Sequence, residues 1–179
     1  MNLFDTPAGF DEPIAMWIGC HRRIEKQLKT LAKLAEHVSR HGVDAEATSA
    51  AEAVLGYFEK SAPHHHDDED RDLFPLLARR ITDAGEREKF EALRAQLEAD
   101  HEAMEAAWAR IRRPLHGISE GLHKNLSLPD VNAFRAIYAT HIPLEEGAIP
   151  DLAKRYLAPR DLESLGRAMA ERRGVAYPA

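Results

Sequence analysis

The sequence predicts an all-α protein, an antiparallel up-down-up-down four-helix bundle followed by a short fifth helix. Two observations carry this expectation. Apolar residues recur at spacings of three and four along long stretches, and strand-like alternation is nowhere sustained. The connections between the first three stretches are short, which forces neighbouring helices to run antiparallel.

The first helix is expected to open at Asp11 as N-cap and close near Gly42, with Ile14, Ile18, Ile24, Leu28, Leu31, Ala35 and Val38 as its apolar stripe. A second stripe starts near Asp44, runs through Ala51, Leu55, Phe58, Ala62, Leu73, Leu76 and Leu77, is interrupted by Pro63 and reaches Arg80. The third begins with Asp83 and Glu86 in capping-box register and carries Phe90, Leu93, Leu97, Met104, Trp108 and Ile111 on one face. Pro114 is expected to end or kink it. Residues 114–129, with Pro114, Gly117, Gly121, Asn125 and Pro129, read as a loop that can hold a frayed helical turn. The fourth helix starts near Ser127 and continues through Val131, Phe134, Tyr138, Leu144, Ala148 and Leu152. A fifth, from about Pro159 to Arg173, buries Leu162, Leu165 and Met169 outside the bundle or across one end of it.

The chain has 179 residues, enough for one well-buried domain, so residues 1–179 are read as a single domain with its bundle over about 11–157. Hydrophobic residues make up 44% and charged residues 30%, which excludes a disordered chain, and no apolar run approaches the thickness of a bilayer. A formal net charge of -6, with Arg22-Arg23, Arg79-Arg80 and Arg112-Arg113 scattered rather than clustered, argues against a nucleic-acid partner. Met1 to Gly9 carries Asp5 and lacks the basic start of a secretory signal, and the lone Cys20 cannot form an internal disulfide. Both features point to the cytoplasm.

Six polar residues interrupt the stripes: His21 on the first helix, His65 and Glu69 on the second, His101 on the third, and His141 and Glu145 on the fourth. Such groups are costly to bury unless something, most often a metal, compensates them. Four residues at about 100° each bring His65 and Glu69, and likewise His141 and Glu145, to within about 40° of one direction. Antiparallel partners lie level when their positions average to the connecting turn. His21 with His65 or Glu69 averages to 43–45, at the Gly42-Val43-Asp44 turn. The corresponding averages with His101 fall at 83–85 and 121–123, at Asp83-Ala84-Gly85 and beside Gly121. The spacing therefore places all six at one depth. Four imidazoles and two carboxylates match a dinuclear centre, and nitrogen and oxygen donors without thiolate fit iron first, with zinc or manganese as substitutes.

His21, then His65-x-x-x-Glu69 followed by Leu73-Phe74-Pro75, then His101, then His141-x-x-x-Glu145 resembles the hemerythrin-like proteins, the HHE cation-binding domain family, over roughly residues 11–157. The resemblance implies a non-heme di-iron centre, bridged by an oxo or hydroxo group, that takes up or senses oxygen or nitric oxide. Peroxidase or catalase-like turnover and an iron-responsive interaction module are the alternatives it leaves open. Two departures stand out. Oxygen-carrying members have a second histidine one turn after the first on the third helix, where this chain has Glu105, and an aspartate five residues after the fourth-helix histidine, where it has Glu146 beside Glu145. This arrangement looks like that of members linked to sensing or to handling reactive species.

Several residues have plainer readings. His64, His66, Asp67, Asp68 and Asp70 read as a solvated patch, and His37, His41, His116 and His123 as surface residues. Glu105 divides between a seventh ligand or an acceptor to one and a surface charge paired with Arg112 or Arg113. Tyr57 and Tyr138 read first as core aromatics and Cys20 as a buried or boundary thiol, while Pro63 and Pro143 either kink the helix to aim the nearby histidine or are neutral. A ferritin-like carboxylate site built on Glu98-x-x-His101 and Glu120-x-x-His123 is the structural rival.

Overall fold

The computed structural model describes residues 8–122 and 125–178, and these are α-helical with no strand among them. The amino-terminal reading through Asp5 and the assignment of His123 fall outside the described residues. Helix α1 spans Pro13–His41, α2 Ala45–Gly56, α3 Ala62–Asp67, α4 Phe74–Arg80, α5 Ala84–Ser119, α6 Leu128–Tyr156 and α7 Pro159–Arg172. Two π-helical turns, Tyr57–Ser61 and Asp68–Leu73, join α2 to α3 and α3 to α4 without a break, so the second sequence stripe is one long helical run. Among the described residues no helix is long and apolar enough to cross a membrane.

Both π-turns share a local feature. Each is followed, after one residue, by a proline: the Ala62 N–H bonds to the Tyr57 carbonyl before Pro63, and the Phe74 N–H bonds to the Glu69 carbonyl before Pro75. Proline has no N–H and its ring collides with the carbonyl four residues back. Slipping the ladder to i→i−5 relieves that collision without ending the helix.

Helix ends follow local chemistry. Pro13 opens α1, so Asp11 lies in the turn before the helix rather than at its cap, and Gly42 closes it with φ 80. The Asp44 carboxylate accepts from the Ala47 N–H at 2.9 Å and from His37 at 2.9 Å. Asp83 accepts from the Glu86 N–H at 2.8 Å, but the Glu86 side chain binds Arg155 and Tyr156, so only half of the expected capping box forms.

The largest departure from the sequence reading is at Pro114, which lies inside α5. Pro114 costs one ladder bond, whereas Leu115 and Ile118 continue the buried stripe of Ile111 and carry the helix on to Ser119. The helix then ends at Gly121, φ 72, where the Leu122 N–H reaches back to the Gly117 carbonyl at 2.8 Å.

The chain divides into two compact units. One comprises the described residues among 23–63 and 96–143, from α1, α2, the first π-turn, the start of α3, α5 and α6. Its core joins Leu31, Val54, Phe58, Met104, Ile111 and Phe134, with Phe58 and Phe134 in ring contact with each other and each with Trp108 and Tyr138 at 5.1–6.1 Å. Tyr138, 3% exposed, is a member of that aromatic cluster. The other unit comprises the described residues among 1–22, 64–95 and 144–179, with Trp17, Phe74, Leu77, Phe90, Ile149 and Met169 buried.

Several stripe residues sit differently from the sequence expectation. Leu144 is 44% exposed, because the buried face of α6 steps from Tyr138 through Ile142 and Glu145 to Ile149. Ile14 and Ile18 are only half-buried, and Trp17 and Cys20 take the inward positions. Leu162 is half-buried, while Asp161 beside it is buried against Arg80.

Candidate metal centre

Four of the six sequence-predicted ligands come together in the unit that holds the first turns of α1. His21 from α1, His65 from α3, Glu69 from the second π-turn and Glu145 from α6 each offer one ligand atom, and these atoms all lie within 4.8 Å of one another. His65 Nε2 lies 3.1 Å from Glu69 Oε1 and His21 Nε2 lies 3.1 Å from Glu145 Oε2. His21, Glu69 and Glu145 are 0% exposed and His65 2%. The His21 and His65 rings meet edge to face at 4.9 Å.

Each group is oriented by a neighbour. His21 turns Nδ1 to Glu146 Oε1 at 2.9 Å, and Arg22 fixes Glu146 in turn by donating to both of its oxygens at 2.8 and 2.6 Å. That leaves His21 Nε2 facing inward, where it makes no hydrogen bond although a carboxylate oxygen is near. Trp17, one turn before His21, donates its indole N–H to Glu69 Oε1 and packs its ring 4.4 Å from that of His21. A carboxylate on the far nitrogen of a ligating imidazole is the arrangement that aims a histidine at a cation.

The electrostatics demand positive charge. Burial foremost, then the negative charge of Glu145, push the Glu69 carboxyl well above its ordinary value, against the Trp17 hydrogen bond, and Asp70 adds to the repulsion. Two carboxylates buried side by side with an imidazole nitrogen that makes no hydrogen bond fit a divalent cation by charge and by donor type.

The remaining two sequence-predicted ligands lie in the other unit. His101 from α5 and His141 from α6 face each other through Nε2 at 3.2 Å, and are 8% and 2% exposed. His141 turns its Nδ1 to Asp100 Oδ2 at 3.3 Å, repeating the relation between His21 and Glu146. Two Nε2 atoms aimed at each other from adjacent helices are placed to share a cation.

Other candidates separate clearly. Glu105 is exposed, and Arg112, its proposed pairing partner, bonds Glu59 instead, as does His116. Glu120 is exposed beyond the end of α5, and His123 lies outside the described residues, so the ferritin-like pair is not assembled among those described. Cys20 is buried. Asp68 departs most from expectation: it is 1% exposed rather than solvated, because Arg172 and Arg173 at the end of α7 cover it. Sequence reasoning missed Trp17, Asp100 and the role of Glu146. Trp17 stands four residues before His21, and that spacing was the available signal.

Comparison with known proteins agrees with this geometry. The chain is 27% identical over 168 residues to an "Uncharacterized protein" of Haemophilus influenzae, an alignment covering 94% of each chain. A family model for the hemerythrin HHE cation binding domain matches residues 12–152, a stretch that contains all six candidate ligands. The chain belongs to the hemerythrin HHE cation binding domain family, and its fold is an all-α, hemerythrin-like helical bundle.

Proposed function

We propose that this protein is a cytoplasmic non-heme di-iron protein that binds or senses oxygen or nitric oxide. The proposed ligands are His21, His65, Glu69 and Glu145 together with His101 and His141, with Glu69 and Glu145 as the bridging carboxylates. The observation that carries the reading is the pair of fully buried glutamates, mutually repelling and surrounded by imidazoles, in a cation-binding family. Donors without thiolate favour iron, manganese or zinc, and two carboxylates able to bridge favour a pair of hard, redox-active ions.

When bound, a di-iron pair supplies an electron-rich site for a small diatomic molecule. The chain's own groups do the rest: Glu146 and Asp100 fix the histidine rings, Trp17 holds one Glu69 oxygen, and burial excludes bulk water. The exposed Glu105 supplies no imidazole where oxygen carriers have one, which favours sensing or reactive-species handling over simple reversible carriage.

Elemental analysis and the visible spectrum of protein purified from iron-replete cells test the metal assignment. Two irons per chain are expected, and stoichiometric zinc without iron would overturn a redox role. Stopped-flow mixing of the reduced protein with oxygen, and separately with peroxide, then divides binding from turnover. A long-lived, reversible spectral change supports binding or sensing; multiple turnovers of peroxide would make the protein a peroxidase or catalase-like enzyme.

A further inference from the structure

The second π-turn is held from two sides. On one side Glu69 faces Trp17 and His65. On the other, Asp68 accepts from Arg173 at 2.6 and 3.1 Å and from Arg172, and Arg172 also reaches Asp72. Both guanidiniums are largely covered, at 16% and 18% side-chain exposure. They stand at the end of α7, which lies wholly beyond the residues matched by the family.

Helix α7 is itself fastened along its length. At its start Asp161 accepts two hydrogen bonds from Arg80, at 3.0 and 2.7 Å, and one from the Ala158 N–H at 3.0 Å. At its middle Gly166 lies so close to the amino-terminal segment that a Cβ there would stand 1.9 Å from the Phe10 carbonyl oxygen. Only glycine permits that approach.

We propose that α7 is a clamp: Arg172 and Arg173 are positioning residues that fix the π-turn Asp68–Leu73 and thereby aim Glu69 into the metal cluster. The inference rests on the metal-centre reading above. A π-turn is a single irregular turn with a displaced ladder, so contacts outside the helix must hold its geometry. Forked guanidinium–carboxylate bonds fix orientation as well as supply charge, and here they grip the residue directly before a ligand. Electrostatics alone would act in the opposite sense, because removing two cations near a cation site favours cation binding. The two explanations therefore differ in sign.

The test uses the full chain loaded with ferrous iron, whose content is measured first, and follows release of iron to excess chelator. Amide hydrogen exchange over residues 64–74 of the metal-free protein gives a second readout. The double variant Arg172→Ala with Arg173→Ala, and separately Gly166→Val, are expected to release iron roughly tenfold faster, with faster exchange over the π-turn. Arg173→Lys keeps the charge but loses the fork, and carries the test should the others not fold; it too is expected to release iron faster. Unchanged or slower release from folded variants would overturn the clamp. A wild-type chain that takes up no metal would overturn the metal reading instead, and unchanged exchange over the π-turn would then overturn the clamp independently.

Discussion

Trp17 donates its indole N–H to Glu69, joining the second turn of α1 to the π-turn that carries a buried carboxylate. The bond occupies one Glu69 oxygen and is the contact that counters the upward push of burial on its carboxyl. Replacing Trp17 with Phe keeps most of the ring and removes the donor. Losing an outer hydrogen-bond partner of a ligating group costs about 10–100-fold in metal affinity, so affinity is expected to fall roughly tenfold or more. Because the carboxylate then holds its proton more tightly, the pH at which metal binds should move upward. Calorimetric titration across pH measures both, and an unchanged midpoint would show that the indole is mere packing.

Glu146 and Glu105 make a matched pair of controls. Glu146 orients the His21 ring, whereas Glu105 is exposed. Loss of an outer carboxylate partner of a ligating histidine costs about 10–100-fold in metal affinity, so Glu146→Ala should weaken binding by that order while Glu105→Ala leaves it unchanged. Chelator competition on the two variants checks the contrast; equal effects would contradict it.

Stability of the metal-free protein should depend on pH with an unusual sign. Burial raises the Asp68 carboxyl, and burial with Glu145 raises that of Glu69 well above 4.5. A raised carboxyl stabilises the fold while protonated, and that contribution is lost as pH rises through its folded value. The lowered carboxyls of Asp44, Glu59, Glu86 and Asp161 act in the other direction, but in the window below the ordinary carboxylate values. The melting temperature of metal-free protein should therefore decline as pH rises above the ordinary carboxylate range, and metal loading should widen its advantage over the same range. Thermal melts of both forms test this, and parallel curves would count against it.

Metal stoichiometry should respond to which histidine is lost. The proposed two-ion site assigns His21 and His65 to one set of donors and His101 and His141 to another. His101→Ala combined with His141→Ala is expected to lower the metal content from two ions to one per chain, because the four-donor cluster remains complete. Elemental analysis reads the result directly, and retention of both ions would remove the histidine pair from the site.

Much of this molecule was legible in its sequence for a simple reason. Helical periodicity is a local property, so the stripes, the Gly42 and Asp44 helix ends and the odd polar positions within the stripes could be found by spacing alone. Spacing erred where a local signal was overridden by packing. Pro114 reads as an end or a kink, and Leu115 and Ile118 bury enough apolar surface to continue the helix past it. Asp68 reads as solvated beside three other acidic residues, yet two arginines about a hundred positions later cover it.

By itself the sequence determined the all-α fold, the family and the set of inward histidines and glutamates, because each depends on residue type at fixed helical intervals. Only the tertiary structure decided that Glu146, next to the expected ligand Glu145, orients His21. It also showed Trp17 and Asp100 behind the ligands and α7 on the π-turn. Hydrogen-bond partners 41 to 125 positions apart leave no periodic trace in the chain, since what pairs them is the packing of helices and not their spacing.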